Sequence, residues 1–97
     1  MSITQNQINK IFEEVNSLIS VDRAADYGDA QTMHSAIGRA WAEHVGSEVE
    51  GYQVAAMMAD LKMRRLCHNP AKRDSWIDAI AYLVLGLAIV ENKKEMR

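Results

Sequence analysis

The chain has 97 residues, the size of one domain, and carries 11 Lys and Arg against 13 Asp and Glu for a formal net charge of −2. That balance excludes the strongly basic surface that supplies most of the affinity for long nucleic acid. One cysteine, Cys67, excludes an internal disulfide and fits a reducing cytosol, while six methionines, a single proline and 6% aromatics favour helices over strands.

The start of the chain lacks both the basic cluster and the apolar run of a signal peptide. The apolar stretch from Ile77 to Val90 is too short to cross a membrane and begins beside an aspartate. No membrane partner is expected. A single all-α domain over residues 1–97 is expected.

The first predicted helix runs from about Thr4 to Ile19. Ile8, Ile11, Phe12, Val15, Leu18 and Ile19 follow the spacing of one apolar face, and Thr4 with Gln7 three residues on has the form of a capping box. A connection from Ser20 to Asp29 follows. It holds Arg23, Asp26, Tyr27 and Gly28; a base can stack on Tyr27 and a phosphate can meet Arg23, although a plain turn before an N-cap has the same composition. Asp29 is a suitable N-cap for a second helix from about Ala30 to Val45, with Met33, Ile37, Ala40, Trp41 and Val45 inward and Gly46 ending it. The third helix starts near Glu50 or Gly51 and ends near Cys67 or His68, where Asn69 and Pro70 break the pattern. The fourth covers roughly Asp74 to Lys93 and is apolar nearly all round, so its extra face is expected to pack against another subunit. Lys93, Lys94 and Arg97 suit the negative end of its dipole.

The third and fourth helices also place charge inside apolar surface. At about 100° per residue, Val54, Ala55, Met58, Leu61, Lys62, Arg65 and Leu66 fall on one arc. On the fourth helix Asp74, Asp78, Ala81, Tyr82, Leu85 and Ala88 share a face. Charged side chains are rarely buried unless paired, so the two helices are expected to face each other with cations meeting carboxylates. Such a cluster is either a structural ion pair or a binding site. Lys62 and Arg65 can hold a phosphate at a pocket mouth or only neutralise Asp78. Asp74 and Asp78, four residues apart on one face, can offer oxygens to Mg²⁺, or merely cap the helix and pair with Lys62. Tyr82 needs a partner for its hydroxyl if buried. His34, His44 and His68 have no metal-ligand spacing and read as surface or cap residues. Cys67 has no base at a nucleophile's offset, and Met57, Met58 and Met63 read as packing.

Taken in order, Arg23, Asp26, Tyr27, Gly28 and Asp29, then Trp41, then Met57, Met58, Leu61, Lys62, Arg65 and Leu66, then Asn69 and Pro70, then Arg73, Asp74, Ser75, Trp76, Asp78 and Tyr82, resemble a group of small proteins of unknown function from bacteriophages and prophages. The same string is similar to related nucleotide-modification-associated proteins, over about residues 20–90. At longer range the last helix resembles the MazG-like all-α nucleoside triphosphate pyrophosphohydrolases, which bind Mg²⁺ through a Glu-x-x-Glu motif on one helix and Glu-x-x-Asp on the next. The chain departs from that pattern. Its third helix has no Glu-x-x-Glu, since Glu48 and Glu50 lie two apart and before it, and only Asp78 maps onto the final Asp.

The resemblance implies a four-helix, MazG-like bundle completed by homo-oligomerisation, in the cytoplasm of a phage-infected bacterium. The expected function is binding of a small phosphate-bearing nucleotide without turnover, for instance to sequester a host nucleotide signal. Arg23, Asp26, Tyr27, Lys62, Arg65, Asp78 and Tyr82 form the expected ligand site, with no catalytic residue and no cofactor. One alternative is a Mg²⁺-dependent nucleotide pyrophosphohydrolase with the metal on Asp74 and Asp78. A second is a protein–protein interaction module in which the charged cluster is structural.

Overall fold

Cap chemistry sets where each helix begins. The computed structural model describes residues 1–20 and 29–95, so the expected ligand residues Arg23, Asp26 and Tyr27 lie outside the described residues, as do Arg97 and the side chain of Lys94. Thr4 accepts a hydrogen bond from the Gln7 N–H at 3.1 Å and opens α1, Gln5–Leu18. Asp29 accepts from the Thr32 N–H at 3.0 Å and opens α2, Ala30–Val45. That helix ends at Gly46, whose φ of 76° is left-handed and suits glycine. Glu50 and Gln53 form a capping box, with the Glu50 N–H donating to the Gln53 side-chain oxygen at 2.8 Å, and open α3, Gly51–His68. After Asn69 and Pro70 the chain turns back into α4, Arg73–Glu95. Four helices and no strand are present among the described residues, as an all-α chain requires.

The antiparallel pair of α3 and α4 is the centre of the molecule; α2 packs chiefly on α3 and α1 on α4. Lys62 opposite Asp78 fixes the register of this hairpin. Further along, Ala55 meets Gly86, where an added Cβ would come within 3.3 Å of the alanine methyl. At the far end Glu50 meets Lys93. Val54, Ala55, Ala59 and Leu66 of α3 are buried in this pairing, with Ala79 and Ile89 of α4. A second cluster of Val15, Ile77 and Ala81, flanked by Ile11, Leu18, Ile19 and Ile80, fastens α1.

The inward face of α2 differs from expectation. His34 and Gly38 are buried; Ile37 and Trp41 are half-buried; Met33, Ala40 and Val45 are exposed. A Cβ on Gly38 would stand 2.2 Å from the Val49 carbonyl oxygen, so the α2 backbone itself touches the segment leading into α3. That approach turns the glycine face inward and the large side chains outward. His34 is therefore no surface residue: its Nδ1–H donates to the Ala30 carbonyl at 2.7 Å and its ring stands edge-on to Tyr82.

Candidate functional site

Lys62 and Asp78 meet as the hairpin register dictates. Lys62 Nζ lies 2.9 Å from Asp78 Oδ2, and the two side chains are 16% and 31% exposed. Each retains a strip of solvent contact, so the pair is neither a sealed core salt bridge nor a loose surface one. The lysine carries three donors, of which this contact uses one.

Asp74 stands one turn before Asp78 and is exposed. With Glu14, Leu18, Ile77 and Asp78 it lines a hollow of about 340 Å³ between α1 and α4. Arg73 pairs with Glu14 across the same junction and ties α1 to the start of α4. Three carboxylates thus rim one hollow, but two of them are already matched by Lys62 and Arg73. Among the described residues no three His, Cys, Asp or Glu side chains stand close enough to hold a metal ion. Asp74 and Asp78 thus offer at most two carboxylates from one helix face, and Asp78 is already engaged by Lys62.

Two expected ligand residues stand apart from this contact. Arg65 is exposed and, among the described residues, joins no ion pair. The cover over its side of α3 ends before it: Val54 is buried, Met58 half-buried, and Leu61 and Arg65 exposed along one line. Tyr82 turns toward α2, with ring centroids 6.2 Å from His34 at an interplanar angle of 70°.

A second polar cluster closes the opposite end of the hairpin. Lys93 pairs with Glu50 and lies 5.9 Å from the centre of the Tyr52 ring, while Asn92 donates to Gln31 at 2.8 Å. Gln31, Glu50, Tyr52 and Lys93 edge a hollow of about 230 Å³. In the sequence Lys93 reads only as a dipole residue. The missing signal is the hairpin register, which sets it opposite Glu50 once Lys62 is paired with Asp78.

These features define a small all-α protein built on one helical hairpin, with a partly buried ion pair toward its closed end. No helix among the described residues is long and apolar enough to cross a membrane. The chain belongs to the family described as domain of unknown function DUF6378, whose model matches residues 10–90. It is similar to the Gene 55 protein of Mycobacterium phage L5, with 34% identity over 73 residues, 74% of this chain and 47% of that protein. The chain thus spans about half the length of that curated relative. No solved structure matches it. The expected likeness to phage proteins of unknown function is borne out by this family and this relative.

Proposed function

We propose that this chain binds a small phosphate-bearing nucleotide, linear or cyclic, beside the Lys62–Asp78 pair and does not turn it over. The observation that carries the reading is a lysine sunk to 16% exposure that still reaches solvent and is aimed by a carboxylate at 2.9 Å. An ammonium held in this way loses little side-chain entropy when an anion arrives, and its low-dielectric surroundings strengthen the attraction. Arg65 follows Lys62 by three residues on the same helix and brings a fork suited to phosphate oxygens. Arg23, Asp26 and Tyr27 would close over the base and sugar. The setting proposed is a phage protein that sequesters a host nucleotide signal in the infected cell.

Calorimetry across a panel of nucleotides tests this. Wild-type protein is expected to bind at least one member at micromolar affinity, with tenfold or greater loss in Lys62→Met and a smaller loss in Arg65→Ala. Failure of every nucleotide to bind better than millimolar overturns the reading. Release of monophosphate and pyrophosphate from a nucleoside triphosphate, abolished by Asp78→Asn, would establish the hydrolase alternative instead.

A further inference from the structure

The outer face of α4 carries an apolar seam that contacts among the described residues leave largely uncovered. Trp76, Ile80, Leu83, Leu87 and Val90 recur at alternating intervals of four and three residues, the spacing of a helix that packs along another helix. Trp76, Leu83 and Leu87 are 52%, 54% and 61% exposed, and Val84 at the edge of the seam is exposed as well. Phe12, exposed on α1, adds to the uncovered apolar surface. Ile80 at the middle also packs on the cluster that fastens α1, so the seam runs beside that helix. The charged residue between Trp76 and Val90, Asp78, lies on the opposite side of the helix from it.

The chain as a whole exposes more surface than a compact monomer of its mass. The chain exposes 7429 Å². A folded monomer of its mass, 10.9 kDa, exposes about 5,600 Å² by the usual mass scaling. The radius of gyration, 15.0 Å, likewise exceeds the roughly 12.5 Å expected of a compact domain of this length. The surplus area is about a third. It exceeds the roughly 800 Å² per partner of a standard interface and falls in the range of obligate homodimers. A face that is apolar throughout is complementary to itself, which is what a two-fold contact between identical chains requires.

The geometry points to a second copy of this chain as the occupant. The two α4 seams pack on one another about a two-fold axis near Leu83, the midpoint between Trp76 and Val90. This pairing is independent of the nucleotide reading.

Sedimentation equilibrium on the full chain tests it. Wild-type protein is expected to sediment at twice the chain mass of 10.9 kDa. The double variant Leu83→Glu, Leu87→Glu is expected at the chain mass with an unchanged helical circular dichroism spectrum. Met33→Glu, an equally sharp change at an exposed apolar residue of α2, is expected to stay at twice the mass. Should the double variant fail to fold, the wild-type melting temperature decides, because only an assembly melts at higher temperature when more concentrated. A wild-type chain that remains monomeric at hundreds of micromolar, or an assembly that survives the double substitution, overturns the pairing.

Discussion

Removing each partner of the Lys62–Asp78 pair in turn should have unequal costs. Exposed ion pairs contribute about 0–1 kcal/mol, whereas breaking a fully buried pair from one side costs about 3–5 kcal/mol. This pair lies between, and its halves differ: the lysine is 16% exposed and the aspartate 31%. Asp78→Asn leaves the more buried ammonium without its counter-charge and should cost about 2 kcal/mol. Lys62→Met keeps the apolar stem in place and leaves a carboxylate that water can reach, so about 1 kcal/mol is expected. For a domain of this size those losses correspond to drops in melting temperature of about 8–16 °C and about 4–8 °C. The double variant should be no less stable than Asp78→Asn alone, since the orphaned charge is gone. Urea unfolding of all four proteins, at one fixed protein concentration, gives the coupling directly. Additive losses, or a larger loss for Lys62→Met than for Asp78→Asn, would refute the view that partial burial governs this contact.

Three further substitutions probe the frame around the site. Gly38→Ala improves intrinsic helix propensity by about 1 kcal/mol. Its Cβ nevertheless meets the Val49 carbonyl oxygen at 2.2 Å, so a net destabilisation of about 1–3 kcal/mol is expected in thermal melts; a stabilised variant would contradict the close approach of α2. Asp29→Ala removes the acceptor for the Thr32 N–H and should cost about 1 kcal/mol, with Asp29→Asn retaining most of the stability. Glu14→Gln breaks the pair with Arg73, whose side chains are about half exposed, and should change stability by less than about 1 kcal/mol at physiological salt.

What could be read from the residues follows the range of the physics involved. Asp29, Ala30–Val45 and Gly46 are legible because caps and breakers act within one turn. The meeting of Lys62 with Asp78 is legible because a charge inside an apolar stripe needs a partner from a facing element. Arg65 misleads for a related reason. Helical spacing sets it close to Val54, but spacing assumes that a neighbour covers α3 along its whole length, and this side is covered only over its first turns. The orientation of α2 depends on Gly38 touching Val49 and on the burial of His34, both tertiary events without a periodic signature. Glu50 and Lys93 lie 43 residues apart and become neighbours only through the register of the hairpin.

The near-uniform apolarity of α4 has a geometric explanation in these contacts. At about 100° per residue, Leu87 stands roughly 180° around the helix from Asp78 and Leu83 about 140° from it. One side of α4 meets α3 and holds the ion pair. A second, at Ile77 and Ala81, receives α1. The third carries Trp76, Leu83 and Leu87 outward. A helix whose sides meet α3, α1 and, as proposed, a second chain has no apolar stripe to distinguish from a polar one, so its sequence resembles that of a fully buried element even though one side is uncovered among the described residues. Because the uncovered side lies opposite Asp78, a second chain can seat there without crossing the approach to Lys62. Ligand affinity should therefore differ little between wild type and the Leu83→Glu, Leu87→Glu variant. A tenfold difference would mean that packing along the seam shifts α4 against α3 and so changes how the aspartate aims the lysine.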